Sequence, residues 1–194
     1  MREIEIEFKN LLTLEEFTAL QEAYASKLSL PIEQTNWYFD SQSHLRDAKC
    51  ALRIRLVEGE DLGQVTLKVP QSKVEIFEYT ELLPREELLQ QIEVGQISLP
   101  LSLQVALQSI DIFDTELDLI AKLNTNRQEY KTENYTLVLD QSSYAGVRDY
   151  EVEMEVNDVT EGKKIFEQLL SDFNIPKRKT VNKIMRAIQA FEVK

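Results

Sequence analysis

Apolar and titratable residues alternate along much of this chain. From Glu3 to Lys9, Ile4, Ile6 and Phe8 fall on one face of a predicted strand, with Glu3, Glu5, Glu7 and Lys9 on the other. The same period of two sets Leu52, Ile54 and Leu56 against Arg53 and Arg55 within Cys50 to Glu58. It sets Val65, Leu67 and Val69 against Thr66 and Lys68 within Gln64 to Val69. Within Tyr144 to Asn157, Tyr150, Val152, Met154 and Val156 alternate with Glu151, Glu153 and Glu155. Further strands are predicted at Glu33 to Asp40, Val74 to Glu81, Glu116 to Lys131 and Asn134 to Gln141. In Val74 to Glu81 the parity admits either Glu78 or the set Glu75 and Glu81 on the charged face. Glu116 to Lys131 is long enough to call for a bulge or bend, and a tight turn is expected near Thr132-Glu133-Asn134.

Between the strands the period changes to that of amphipathic helices. Thr13-Leu-Glu-Glu16 reads as a capping box, followed by Phe17, Leu20, Tyr24 and Leu28 at helical spacing. Leu88, Leu89 and Ile92, then Leu103, Ala106, Leu107 and Ile110, predict two short helices around the Leu99-Pro100 break. Glu161 to Phe173 and the stripe Val181, Ile184, Met185, Ile188 and Phe191 predict two more, separated by Pro176-Lys177-Arg178-Lys179. About eight strands with helices inserted at a few points describe one α+β domain over residues 1–194, its antiparallel sheet strongly curved or closed.

Helices with apolar stripes need apolar partners, and the strands offer only their apolar faces. If the sheet closes, the charged faces become its interior. Glu5, Glu7, Glu151, Glu153 and Glu155 would then face Lys9, Arg53, Arg55 and Lys68. Buried charges cost several kcal/mol each unless paired or liganded. A water-filled channel taking a polyanion and a divalent cation would relieve both signs. On periodicity alone the alternative stays open: a flat sheet with a solvated charged face, whose cross-strand ion pairs contribute little.

Composition narrows the field. The 194 residues carry a formal net charge of −12, which disfavours general attraction to DNA or to anionic membranes. With Cys50 and His44 the single residues of their kinds, an intrachain disulfide and a Cys/His zinc site are excluded. The first residues lack a signal-peptide core and no apolar run reaches membrane-spanning length, so a cytoplasmic location is expected. His44 is expected at the surface, Asp111 to Asp118 as a solvated loop, and Trp37-Tyr38-Phe39 in the core.

Glu5-Ile-Glu7-Phe-Lys9 resembles the Glu-x-Glu-x-Lys signature of the CYTH superfamily, the triphosphate tunnel metalloenzymes. The resemblance continues in order through Tyr38-Phe39-Asp40, Leu52-Arg53-Ile54-Arg55, Thr66-Leu67-Lys68, Arg127, Leu139-Asp140, Glu151-Val-Glu153 and Lys177-x-Lys179. It is nearest to small stand-alone bacterial members, and it implies an eight-stranded antiparallel β tunnel with helices outside. It implies divalent metal, Mg²⁺ or Mn²⁺, on Glu5, Glu7 and Glu153, with Glu151, Glu155 and Asp140 as further candidates. Lys9, Arg53, Arg55, Lys68, Arg127 and Lys179 would bind the phosphates of a small triphosphate. Glu5, Glu7, Glu153 and Asp140 would carry catalysis, which for this family is phosphoryl transfer. Metal-dependent hydrolysis is the expected reaction; a class IV adenylyl cyclase and a non-catalytic polyphosphate- or nucleotide-binding module are the competing readings. One departure stands out: the family's lid motif reads Lys177-Arg178-Lys179-Thr180 here, leaving open which basic residue reaches the tunnel.

Overall fold

The computed structural model describes residues 2–179 and 181–192; Thr180 and the side chain of Phe191 lie outside the described residues. Strand β1 spans Arg2–Leu12, β2 Ile32–Asp40, β3 Ala51–Val57, β4 Leu62–Pro70 and β5 Glu75–Pro84. Strands β6 (Gln96–Ser98), β7 (Glu116–Lys131), β8 (Tyr135–Tyr144) and β9 (Val147–Val156) complete the sheet. The helices are α1 (Leu14–Ala23), α2 (His44–Asp47), α3 (Arg85–Val94), α4 (Leu101–Gln108), α5 (Val159–Asp172) and α6 (Lys183–Glu192). Hydrogen-bonded order runs β2-β3-β4-β5-β1-β9-β8-β7-β6, and β2 also pairs with β7. That last pairing closes eight strands into an antiparallel barrel, with short β6 left as a flap on the start of β7.

Register decides which face is which. Asn36 lies opposite Arg55 and Leu123, and Lys68 opposite Glu78. Glu7 lies opposite Glu155, and Asp140 opposite Glu151 and Arg127. All of these take the inner face. The outer faces of β3 and β4 put Leu52, Ile54, Val65 and Leu67, none of them solvent-exposed, under Leu88 of α3 and Leu103 and Leu107 of α4. Those of β8 and β9 put Leu137, Leu139, Val152 and Met154 under Phe17 and Leu20 of α1 and Phe166 and Leu169 of α5. At roughly 1.5–3 kcal/mol per fully buried large apolar side chain, these two outer cores hold the wall closed against its charged interior. The inverted arrangement expected from the alternation is therefore the one observed. Ile4 belongs to neither outer core and is 63% exposed.

Local chemistry places the helices. Thr13 and Glu16 form the expected capping box on α1, and Asp158 caps α5 through the Glu161 amide. A Cβ on Gly162 would stand 2.5 Å from a Val156 methyl, so the missing side chain lets α5 lie directly on β9. The β8–β9 hairpin turns at Ala145 and Gly146, with φ of 45° and 82°, the positive-φ pair of a two-residue turn. The sequence reading, which ended one strand at Gln141 and began the next at Tyr144, missed this turn because Ala is an unusual residue at positive φ. The bulge expected in β7 is present, opposite Tyr38 and Phe39. The run Asp111 to Asp118 is a loop only in its first part, since Glu116 to Asp118 pair with β6, although the Glu116 and Asp118 side chains stay exposed.

Helix α6 differs from the others. Its Ala187 and Ile188 pack on Tyr38, Ala121, Leu123 and Tyr144. Tyr38, Ala121 and Leu123 share the inner face in the β2–β7 register, so α6 lies across one end of the barrel.

Candidate active site: a tunnel with two charged poles

The barrel encloses a cavity of about 490 Å³ lined by inward side chains of all eight closing strands and by the start of α6. From the sequence-derived set, Glu5, Glu7, Lys9, Arg53, Arg55, Lys68, Arg127, Asp140, Glu153 and Glu155 all line it. Glu78 lines it too, which resolves the parity of β5 in favour of Glu78, with Glu75 and Glu81 outside the lining. Glu151 and Lys179 do not line it. Glu151 keeps the inner-face parity of its strand but is fully buried beneath α6, 2.6 Å from Arg186 Nη2. Lys179 is exposed, as is Lys177, which instead pairs with Glu167 at 2.6 Å. Between them Arg178 turns away to Glu16. Buried Asn10 ties this segment to β1, accepting from the Arg178 amide at 2.7 Å and donating to the Pro176 carbonyl at 3.2 Å.

Sequence reasoning overlooked Lys183. It was hidden within the apolar stripe of the last helix, where a single lysine reads as the solvated side. In the fold its ammonium enters the tunnel, contacts Asp140, and lies 2.7 Å from Glu153 and 3.7 Å from Glu151. Lys183 lines the cavity where Lys179 does not.

Most cations in or beside the tunnel are matched by carboxylates. Arg127 binds Asp140 through two nitrogens, at 2.8 and 2.6 Å, and reaches Glu153 at 2.9 Å. Lys68 bridges Glu5 at 2.7 Å and Glu78 at 2.5 Å. Lys9 contacts Glu7. Arg186 holds Glu151 and lies 2.9 Å from Asp149, which also accepts from the Tyr144 hydroxyl at 2.5 Å.

Two regions remain unbalanced. On β3, the Arg53 Nε is buried without a hydrogen-bond partner, and Arg55 donates from Nε to the neutral Asn36 Oδ1 at 2.9 Å. Burial, together with the neighbouring Arg53 and Arg127 charges, pulls the Arg55 guanidinium down to about 9. Across the cavity the surplus is negative. Burial beside Glu7 and Glu78 pushes the Glu5 carboxyl up to about 7, even with Lys68 opposing. Glu78, against the cost of its own burial, is held down to about 2 by Lys68 and Arg53. One ammonium shared by two carboxylates favours one and leaves the other short. Burial also raises Glu155 and Glu151. Asp140 and Glu153 go the other way: burial would raise them, but Arg127 and Lys183 outweigh it.

Such a cavity, cationic on one wall and acidic on the other, suits an anion that arrives with a counter-cation. The CYTH domain model matches residues 3–188. A Bacillus subtilis (strain 168) protein named "Putative triphosphatase YjbK" is 37% identical over 187 residues, covering 95% of this chain and 94% of that one. A solved Bacillus halodurans structure described as a "putative adenylate cyclase" is 31% identical, with a TM-score of 0.82 over 95% of this chain and 97% of its own. The Hippeastrum protein HpAC1, described as a "putative adenylyl cyclase" that reveals a dominant triphosphatase activity, shares the fold at 20% identity and a TM-score of 0.74, over 98% of this chain and 96% of its own. No helix among the described residues is long and apolar enough to cross a membrane. From Glu3 to Ile188, in barrel, charged interior and relatives alike, this chain belongs to the CYTH domain family.

Proposed function

We propose that the protein hydrolyses the terminal phosphoanhydride bond of inorganic triphosphate, or of a simple organic triphosphate, inside the barrel with Mg²⁺ or Mn²⁺. The observation that carries this reading is the pair Arg53 and Arg55, half-buried in the cavity wall with no carboxylate in salt-bridge contact among the described residues. A polyanion is the ligand that such a pair lacks.

The acidic wall fits a hard divalent ion by donor chemistry, since Glu5, Glu7, Glu153 and Glu155 offer only carboxylate oxygens on the adjacent strands β1 and β9. Among the described residues no three acidic groups converge to coordination geometry, and the ammonium groups of Lys9, Lys68 and Lys183 neutralise them instead. Glu5, Glu7 and Glu153 would hold the ion, with Glu155 beside them, while Glu151 stays with Arg186. When bound, the ion neutralises phosphate charge and makes a coordinated water more acidic.

Arg53, Arg55 and Lys68 bind and orient phosphate oxygens, with Lys9 at the acidic wall. Arg127 already carries two carboxylates and serves chiefly to fix Asp140 and Glu153. Those two, held ionised, orient a water toward the terminal phosphorus rather than take its proton. The water oxygen bonds to phosphorus as the bridging P–O bond breaks; diphosphate leaves, and the water's proton passes to the products or solvent. Among the aromatic side chains of the described residues only Tyr38 and Tyr135 line the cavity, and Tyr38 packs under α6, which leaves little platform there for stacking a nucleobase.

The test incubates the protein with tripolyphosphate, ATP or thiamine triphosphate, each with Mg²⁺ or Mn²⁺, and quantifies phosphate, diphosphate and cyclic AMP. Phosphate release that needs the metal is expected. Cyclic AMP stoichiometric with diphosphate from ATP would establish a cyclase, and tight binding without turnover a binding module.

A further inference from the structure

Asn36 is 2% exposed and lies directly opposite Arg55 in the β2–β3 register. Its Oδ1 accepts the Arg55 Nε at 2.9 Å. This is the one hydrogen bond of the Arg55 side chain among the described residues. Among the described residues the terminal nitrogens of Arg55 have no hydrogen-bond partner, and they are not sealed from the cavity as the buried Arg53 Nε is. An arginine held at Nε by a fixed acceptor keeps both terminal nitrogens parallel and free for a bidentate oxyanion.

The partner's neutrality is the informative part. The other arginine with a matched partner in the cavity wall, Arg127, meets Asp140 through its Nε and one terminal nitrogen. An aspartate at 36 has nearly the shape of asparagine and could accept the same Nε bond. It would also cancel the charge of Arg55 before any ligand arrives. We propose that Asn36 is a positioning residue for anion binding: it orients the Arg55 guanidinium toward the cavity while leaving its positive charge uncompensated for a phosphate group. This rests on the triphosphate reading above and adds a residue that contacts the arginine rather than the substrate. The depressed proton affinity of Arg55 agrees, since a guanidinium with a carboxylate partner would be raised, as Arg127 is against the cost of its burial.

The experiment compares Asn36→Asp and Asn36→Ala with the unaltered protein. Thermal unfolding is followed with and without tripolyphosphate, and tripolyphosphate affinity is measured by calorimetry in metal-free buffer. Asn36→Asp is expected to melt at or above the unaltered protein without ligand, because it pairs a buried charge. Its tripolyphosphate affinity should fall by about tenfold or more, and its ligand-induced rise in melting temperature should shrink accordingly. Asn36→Ala frees Arg55 and should weaken affinity while lowering the melting temperature. A purely structural amide predicts a different pattern: both variants melt lower and both retain affinity. That pattern overturns the proposal, as does Asn36→Asp with unchanged affinity. If the unaltered protein does not bind tripolyphosphate at all, the triphosphate reading itself fails.

Discussion

Replacing Lys183 by methionine keeps the length of the side chain and removes its charge. Its ammonium serves Asp140, Glu151 and Glu153, of which Asp140 and Glu151 have no solvent exposure. Removing one partner of a buried ion pair costs about 3–5 kcal/mol. Arg127 and Arg186 still hold the same carboxylates, so the lower end, about 3 kcal/mol, applies here. For a chain of this size that is a drop of roughly 6–12 °C in melting temperature. The pH dependence identifies the cause. Asp140 and Glu153 are held below the usual carboxylate range by Arg127 and Lys183 despite burial. Their contribution is present above the unfolded carboxylate value, about 4, and is lost as pH falls through the folded values. Lys183 itself is raised, its carboxylates outweighing burial, so its contribution is full below about 10.4 and fades only as pH rises through the higher folded value. Without Lys183 the carboxyls hold protons more readily, and the deficit should shrink toward acid. Denaturant unfolding in chelator, at about pH 7.5 and about pH 4.5, gives both numbers. A loss below about 1 kcal/mol at the higher pH, or the same loss at both, refutes the buried-cluster account.

Other outcomes follow from the same geometry. Arg53→Ala and Arg55→Ala should each weaken tripolyphosphate binding by about ten- to a hundredfold in calorimetry, from roughly 1.5–3 kcal/mol per charge-assisted contact. Lys179→Ala, at an exposed position outside the cavity, should leave that affinity within about twofold. Glu7→Gln and Glu153→Gln should lower Mg²⁺ or Mn²⁺ affinity in a direct titration, whereas unchanged affinity in both would remove these residues from the metal assignment. Asn10→Ala loses two hydrogen bonds to the 176–178 segment and should cost about 1–3 kcal/mol in denaturant unfolding.

The barrel was legible because a period of two converts directly into faces. Once Leu52 and Ile54 were assigned to a helix-covered wall, Arg53 and Arg55 had to point inward, and register did the rest. The same logic could not reach Glu151, which obeys the parity of its strand yet sits behind Arg186, a residue from another element. Nor could it reach Lys183, whose role depends on α6 crossing a barrel end rather than lying along a wall. Asn36 was invisible for a different reason. A neutral side chain beside an aromatic cluster carries no charge pattern, and its meaning comes only from the arginine paired with it across the strand.

The order in which strands meet has a consequence for how the molecule is made. β1 pairs with β5 through its first half and with β9 through its second, so that Glu7 and Lys9 meet Glu155 and Glu153. Translation proceeds at about 5–20 residues per second, so β1 is finished many seconds before β9 exists. During that interval the growing sheet keeps an open edge, and the apolar side of β1 lacks Phe166 of α5, which stacks on Phe8 in the finished fold. Barrel closure is therefore a late, long-range event, paid in loop entropy before its contacts form. Refolding of the whole chain should be slow for its size, and a ribosome-bound fragment ending before β9 should remain protease-sensitive along β1.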